Sequence, residues 1–373
     1  MKTLFTFLLS LGMAITSLAQ IPTGYYDGTN GLTGYALKTK LSTIISNGAK
    51  DLGYGSGTGG LWETYFTSDR DYYYENNGTL LDMYSERPNG PDAYEYKLGQ
   101  VSAGGNQCGN GLNHENSCYN REHSLPKSFF GGQTAVPMAN DAHFVIPTDY
   151  YVNSMRGNFP YGETGTPTWT STNGTKIGTS SFPGYNGTIF EPIDEFKGDF
   201  ARMHLYFITR YEDRLMSFAQ YYPDSNPIDG SSDRGYKQWY INLLLKWAAQ
   251  DPVSQKEIDR NNAVYARQKN RNPFIDHPEW VNMIWTSTLS ATDIAALKKT
   301  ISIYPNPVRN GQLHLSGYGL NEVSTVQIYS IDGRLIQTVD QNFKNSNTII
   351  LKNQTKGVYI LKTNQQSTKF IVD

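Results

Sequence analysis

The spacing of apolar residues changes near residue 287, and this change constrains the fold more than any other feature of the sequence. Before it, apolar residues recur at helical spacing between Tyr-rich and Gly-rich segments. After it, short runs alternate apolar and polar residues, as in "TVQIYSIDGR" and "GVYILKT". These are the periods of helices and of strands, and 373 residues suffice for two or three domains. We therefore predict an α+β domain over residues 20–286, a linker over 287–299 and a small β-sandwich over 300–373.

The first 20 residues, "MKTLFTFLLSLGMAITSLAQ", are typical of a secretory signal peptide. Lys2 supplies the positive charge, Leu4 to Ile15 form the apolar stretch, and Ser17-Leu18-Ala19 is a cleavage site of small residues. The apolar stretch is too short to span a bilayer. An N-terminal anchor is the alternative, but the cleavage pattern favours a signal peptide over residues 1–19 and an exported protein without stable membrane insertion.

The net charge and the two cysteines limit the kinds of binding partner and metal site that the chain can have. The formal net charge is −2, so a nucleic-acid contact must come from a local basic patch and not from a global field. The two cysteines, Cys108 and Cys118, lie just before the most unusual polar segment. They either form a disulfide or bind a metal as thiolates. Because export permits disulfides and a structural zinc site needs a second ligand pair, we favour the disulfide.

Four segments of the first domain are predicted to be helical. They are "ALKTKLSTIIS", an amphipathic helix that begins after Gly198, "WYINLLLKWAAQ", and a helix in "DPVSQKEIDRNNAVYARQ" with Asp251 as N-cap and Pro252 at its first position. The segment "TLLDMYSERP" is predicted to be a short strand that runs into a turn. In the C-terminal part, Asp332-Gly333 indicates a hairpin turn.

The polar residues that suggest chemistry occur in two segments. "NREHSLPKSFFGG" places Glu122 beside His123, and "NDAHFVIPTDYYVNSMRGNFPYG" follows it after a short interval. In the second segment "AHFVIP" is predicted to be a strand, and "TDYYVNSMRG" a helix capped by Thr148 or Asp149. On such a helix Asn153 and Arg156 share a face because they are three residues apart.

These residue types together suit phosphodiester hydrolysis. The oxygens of Glu122 and Asn153 are ligands for a hard cation such as Mg²⁺ or Ca²⁺. A neutral His123 can take a proton from water, and Arg156 can bind a phosphate. Each residue also has an ordinary structural interpretation: a surface Glu-His pair, a capping Asn153, a salt-bridged Arg156. His143 lies within an apolar strand, which is typical of a core histidine.

Four motifs in order resemble the bacterial endonuclease I family of secreted or periplasmic non-specific nucleases. They are "CYNREHSLPKSFFGG", "NDAHFVIPTDYYVNSMRGNFPYG", "FEPIDEFKGDFARM" and "QDPVSQKEIDRNNAVYARQKNRNPFIDHPEW", and the resemblance covers residues 24–285. It implies a ββα-metal (His-Me finger) core surrounded by helices, with His123 as general base. It implies Glu122 and Asn153 as ligands of Mg²⁺, with Mn²⁺ and Ca²⁺ as alternatives, and products that carry 5′-phosphates. It also implies that a main-chain carbonyl from residues 139–141 holds His123.

The chain departs from better-known members of this family between the two main motifs. Their longer segment supplies an arginine to the scissile phosphate, whereas "KSFFGGQTAVPMAND" contains none. We therefore assign the phosphate contact to Arg156 and expect Arg121, Lys127 and Asn158 to contact nucleic acid. The family's usual multiple disulfides are reduced here to at most one.

The C-terminal segment, from "ISIYPNPVRNG" to "TKFIVD", resembles the type IX secretion sorting domain. This resemblance implies a partner in the outer-membrane secretion machinery, followed by release or by attachment to the cell surface. A carbohydrate-binding sandwich is the alternative. For the whole chain we expect a secreted, metal-dependent endonuclease that cuts DNA and RNA with little sequence preference. The rival hypotheses are a metal phosphodiesterase with another substrate and a non-catalytic adhesin or glycan-binding protein.

Overall fold

The computed structural model describes residues 21–286 and 301–373, except for residues 317–319, 321–322, 344–346, 353–354 and 365. The predicted signal peptide and the predicted linker therefore lie outside the described residues. Nothing within the described ranges combines the length and the apolar character that a membrane-crossing helix requires.

The described part of the first domain contains helices and short strands in mixed order. Its helices are α1 (Gly34–Ser46), α2 (Gly60–Ser68), α3 (Tyr150–Arg156), α4 (Lys197–Arg210), α5 (Leu215–Phe218), α6 (Gln238–Gln250), α7 (Gln255–Gln268), α8 (Pro273–Asp276) and α9 (Glu279–Trp285). Its strands are β1 (Tyr119–His123), β2 (Val145–Asp149), β3 (Pro167–Thr170), β4 (Lys176–Thr179) and β5 (Thr188–Glu191). The strands β1 and β2 form a two-stranded antiparallel sheet, and β3, β4 and β5 form a second sheet in that order. The α+β class predicted from the sequence is confirmed.

Helix α4 lies at the centre of this domain. It packs against α1 and α6, and every residue from Lys197 to Thr209 is buried. The predicted helix is present and begins at Lys197, but other elements cover its polar side as well, so both of its faces are buried. Its charged residues are paired inside the protein: Arg202 with Glu257, and Asp199 with Lys256. Full burial of a Phe such as Phe200 contributes about 2 kcal/mol to the stability of such a core.

Two local predictions are corrected by the structure. Helix α7 begins at Gln255, because Ser254 is its N-cap and forms a reciprocal capping box with Glu257. Asp251 instead accepts a hydrogen bond from the main chain of Gly198. The segment "TLLDMYSERP" is not a strand: only Leu80 forms a bridge, to Arg70, and the Asp82 side chain accepts the N–H of Tyr84 in a turn.

The described residues of the C-terminal domain form two antiparallel sheets around a separate hydrophobic cluster. The strands are β6 (Ser302–Tyr304), β7 (Gln312–Ser316), β8 (Thr325–Ser330), β9 (Leu335–Asp340), β10 (Thr348–Ile350), β11 (Gly357–Lys362) and β12 (Ser367–Val372). One sheet has the order β10-β7-β6 and the other the order β12-β11-β8-β9. The predicted Asp332-Gly333 turn joins β8 to β9, with Gly333 at φ +86°. The predicted all-β fold of this part is confirmed.

Candidate active site

A two-stranded hairpin followed directly by a helix forms the frame of the site. Strand β1 pairs with β2 from Tyr119 opposite Asp149 to His123 opposite Val145. Helix α3 begins immediately after β2, because the Asp149 carboxylate accepts the N–H of Val152 at 2.9 Å and so caps the first turn. Of the two predicted caps, Asp149 is the one that forms. The motif residues are thereby brought onto one β-β-α unit.

Alternation along β1 sends neighbouring side chains to opposite faces of the hairpin. Asn120 and Glu122 face α3: the Asn153 side chain donates to Asn120 Oδ1 at 2.8 Å, and Arg156 forms an ion pair with Glu122. The prediction that Asn153 and Arg156 share a face is confirmed by these two contacts. The carboxylate and the carboxamide proposed as metal ligands therefore lie on the same side of the hairpin.

The Glu122 carboxylate is buried, with 3% of the residue exposed, and is held by two donors. Tyr84 donates its hydroxyl to Glu122 Oε1 at 2.9 Å, and Arg156 donates to the same oxygen. Burial raises the pKa of Glu122, and the positive charge of Arg156 opposes that rise. The Tyr84 hydroxyl also lies 2.8 Å from that of Tyr161. Glu122 is thus fixed in orientation by groups behind it, as ligating carboxylates commonly are.

Arg156 does not occupy the position expected of a phosphate contact. Its guanidinium is fully buried. Besides pairing with Glu122, it donates to the main-chain carbonyls of His123 at 2.8 Å, Ser124 at 2.5 Å and Phe159 at 3.1 Å. These contacts hold the Arg156 side chain in the protein interior. The expectation that Arg156 binds the scissile phosphate is therefore corrected: Arg156 orients Glu122 and fixes the end of β1.

His123 occupies the last position of β1, on the face away from α3. Its Nε2 lies 3.1 Å from the carbonyl oxygen of Ala139, as the family resemblance implied. Because a carbonyl only accepts, Nε2 carries the proton and Nδ1 is left with a lone pair. Burial lowers the pKa of His123 to about 3, and the positive charges of Lys127 and Arg121 add to this effect. The imidazole is therefore neutral at pH 7, which is the form that accepts a proton.

Tyr54 lies beside His123 and close to Arg121 and Lys127, two of the residues predicted to bind nucleic acid. The rings of Tyr54 and His123 are stacked with centroids 6.0 Å apart. The guanidinium of Arg121 lies 3.4 Å from the Tyr54 centroid and 4.3 Å from that of Trp62, while it donates to the Tyr54 carbonyl at 2.5 Å. Lys127 lies 5.8 Å from the same ring and forms no ion pair within the described residues. Two surface grooves run beside this group, one lined by Tyr54 and Asp51 and the other by Arg121 and Trp62.

The donor set at α3 and β1 fits a hard divalent cation. Glu122 contributes a carboxylate and Asn153 a half-buried carboxamide from the adjacent element, and both are oxygen ligands of the kind that Mg²⁺ and Ca²⁺ prefer. Asn158, by contrast, is half-buried in the loop after α3 and contacts none of these residues by a hydrogen bond among the described atoms.

The predicted disulfide between Cys108 and Cys118 is present, which settles the alternative of thiolate metal ligands. It closes a loop directly before β1. The Cys118 carbonyl accepts the N–H of Tyr150, the first residue of α3, at 2.9 Å. The crosslink therefore anchors both the strand that carries Glu122 and His123 and the helix that carries Asn153.

Three contributors to the site were missed by the sequence analysis: Tyr54, Tyr84 and Asn120. Tyr84 lies 38 residues before Glu122, in the segment interpreted as a strand, and no local pattern indicates that its hydroxyl reaches the carboxylate. Asn120 could have been found, because it lies two residues before Glu122 and shares its face of β1.

Comparisons with known proteins match both parts of the chain to known families. A family model described as Endonuclease I matches residues 33–279, and one described as a secretion system C-terminal sorting domain matches residues 302–373. An extracellular ribonuclease from Bacillus amyloliquefaciens is 36% identical over 266 residues, which cover 70% of this chain and 78% of that protein. An extracellular ribonuclease from Bacillus subtilis (strain 168) is 35% identical over 285 residues, with 74% and 83% covered.

Proposed function

The chain belongs to the endonuclease I family and is a secreted nuclease, and from this premise we propose that it hydrolyses phosphodiester bonds of both DNA and RNA with little sequence preference. The family is metal-dependent. The observation that carries the proposal is the neutral, carbonyl-held His123 at the end of the strand that also bears Glu122. The relatives named extracellular ribonucleases support RNA as a substrate. The family assignment favours a nuclease over a non-catalytic adhesin.

His123 is proposed as the general base. The Ala139 carbonyl fixes the ring so that Nδ1 accepts a proton from the attacking water. The pKa of about 3 in the free protein makes this imidazole a weak base. A bound phosphate adds negative charge beside the ring, and this charge raises the pKa toward the neutral range. The Tyr54 ring is stacked beside the imidazole.

Glu122 and Asn153 are proposed to hold the divalent cation, Mg²⁺ in the first instance and Mn²⁺ or Ca²⁺ as alternatives. When bound, such an ion supplies positive charge for the phosphate and the leaving oxygen. Tyr84 and Arg156 keep the carboxylate in place. We propose that the ion and His123 act on the same phosphate, with the base opposite the leaving oxygen, as an in-line displacement requires. Products with 5′-phosphates are expected from the family resemblance.

Substrate contacts are proposed on the Tyr54 side of the hairpin. Arg121 and Lys127 supply the local positive charge that the chain lacks overall. The half-buried Tyr54 is the aromatic side chain proposed to meet a base, whereas Trp62 is buried. Contacts of this kind grip phosphate and base faces without reading base edges, so they favour low sequence specificity. The C-terminal domain is proposed to engage the outer-membrane secretion machinery.

The decisive experiment compares His123→Ala with the exposed His114→Ala control. Cleavage of plasmid DNA and of ribosomal RNA is measured with Mg²⁺ and with EDTA, and the 5′ ends of the products are analysed. We expect His123→Ala to lose about 10²- to 10⁴-fold in rate on both substrates, with an unchanged circular dichroism spectrum. Full activity of His123→Ala would remove this residue from the mechanism. Cleavage of only one polymer would restrict the proposed substrate.

A further inference from the structure

Three acidic side chains outside the candidate active site converge in the Tyr-rich region that precedes β1. One carboxylate oxygen from each of Asp71, Glu75 and Glu86 lies within 4.8 Å of the others. Two oxygens on opposite sides of a single Ca²⁺ ion, at about 2.4 Å each, are about 4.8 Å apart. The spacing of the three carboxylates therefore fits one ion.

The part of the chain that the structure describes places no cationic side chain in an ion pair with this cluster. Within the described residues, Asp71, Glu75 and Glu86 take part in no ion pair with Lys, Arg or His. Asp71 accepts main-chain N–H groups from Tyr73 at 2.9 Å and Asn76 at 3.0 Å, and Glu75 accepts one from Asp92 at 3.1 Å. Neutral N–H donors orient the carboxylates but leave their negative charges in place, and like charges this close repel one another.

Glu86 gives the independent sign that a ligand belongs here. It is 1% exposed, and its Oε1 is a buried atom without a hydrogen-bond partner among the described residues. A buried carboxylate oxygen in this situation is strongly unfavourable unless something binds it.

We propose that Asp71, Glu75 and Glu86 bind a Ca²⁺ ion at a site distinct from that of Glu122 and Asn153. The ligands are all carboxylate oxygens, which select hard cations over zinc or copper. They come from an irregular loop, and such a loop suits the variable coordination of Ca²⁺ better than the strict octahedron of Mg²⁺. Water molecules complete the coordination.

The ion joins two segments that main-chain hydrogen bonds also link, from the Asp71 N–H to the Thr79 carbonyl at 2.9 Å and from the Leu81 N–H to the Asp69 carbonyl at 3.0 Å. Asp71 and Glu75 belong to the loop after α2, whereas Glu86 ends a turn in which its N–H donates to the Asp82 carbonyl at 2.9 Å. The same turn carries Tyr84, which holds Glu122. A Ca²⁺ ion at this site therefore stabilises the turn that carries Tyr84. The ion itself does not contact the substrate.

The test measures Ca²⁺ binding and thermal unfolding of the whole protein, so it does not depend on nuclease activity. At 10 mM Ca²⁺, about 100 times a dissociation constant on the order of 0.1 mM, we expect the midpoint to rise by about 5 °C. Glu86→Gln is expected to lose this rise and the corresponding calorimetric binding. Glu75→Gln, at a half-buried position, is expected to weaken both and serves if Glu86→Gln does not fold.

Two controls separate this site from the candidate active site. Glu63→Gln removes an exposed carboxylate on α2 that is paired with Arg267 and should keep the full rise. Asn153→Ala weakens the proposed nuclease ion site and should also keep it. The proposal is overturned if Ca²⁺ does not stabilise the wild type, if both Glu86→Gln and Glu75→Gln respond like the wild type, or if Asn153→Ala abolishes the response.

Discussion

Two buried carboxylates, Glu122 and Glu86, lie at opposite ends of one chain of contacts but have different surroundings. Glu122 receives a guanidinium from Arg156 and a hydroxyl from Tyr84. Among the described residues, Glu86 forms no ion pair with a cation and its Oε1 has no hydrogen-bond partner. The pKa of both carboxyl groups is raised by burial, but only at Glu122 does a protein cation counteract the rise. The comparison teaches that burial alone does not identify an active carboxylate; the groups that orient it do.

The largest expected difference between Glu122 and Glu86 is in the cleavage rate of their variants. Glu122→Gln should lower the cleavage rate about a thousandfold, because it removes the charge that we propose to hold the ion near the scissile phosphate. Glu86→Gln, assayed with saturating Mg²⁺, should stay within about threefold of the wild type, because it touches no substrate. The measurement is the initial rate of cleavage per folded molecule of each variant. Equal losses of cleavage rate in the two variants would show that the two carboxylates do not differ in role.

A second test concerns the ion pair itself. Arg156→Met should lower the free energy of unfolding by about 3 kcal/mol, because it leaves Glu122 charged, buried and without its cation. In the double variant with Glu122→Gln, the loss should be smaller than the sum of the two single losses. Urea unfolding of the four proteins measures this coupling. Additive losses would mean that the two side chains do not act as a pair.

A third buried carboxylate, Asp141, extends the comparison to pH. Burial acts to raise the pKa of Asp141, but Arg210 and His143, with a hydrogen bond from Gln268, lower it to about 2. Because the folded pKa lies below the unfolded value, this carboxylate stabilises the protein above about pH 4 and stops doing so as the pH falls to about 2. The expected loss is about 2 kcal/mol.

Arg210→Gln should make the stability curve flatter over that window, since it removes the main cation beside Asp141. Arg214→Gln, which breaks an exposed pair with Asp213, should leave the curve unchanged. Urea unfolding at several pH values checks both. The same slope in wild type and Arg210→Gln would assign the pH dependence to other groups.

The parts of the site that depend on local sequence could be predicted. The cap at Thr148 or Asp149 and the shared face of Asn153 and Arg156 follow from spacing within a few residues, whereas the pairing of the two strands was implied only by the family resemblance. The family resemblance also limited the carbonyl that holds His123 to residues 139–141. These features are local or carried by a motif, so one segment of the chain contains the information needed to predict them.

The other parts depend on contacts between distant segments. The interior position of Arg156 could not be inferred from the helix alone, because it depends on Glu122 and on carbonyls at the end of β1. Tyr84 reaches Glu122 only because "TLLDMYSERP" forms a turn and not a strand. The same mistaken strand concealed the acidic cluster: along an extended chain Glu86 would lie far from Asp71. Which groups surround a buried charge is decided by tertiary packing.

The disulfide between Cys108 and Cys118 forms only in an oxidising compartment, so the stability of the proposed site depends on where the protein is. A crosslink that closes a loop this short contributes about 3 kcal/mol to stability, and here it braces the beginnings of β1 and α3. Before export, in the reducing cytoplasm, the two thiols stay unlinked. The proposed base and the proposed ion ligands are then least firmly assembled while the nuclease is still beside the nucleic acids of the cell that makes it.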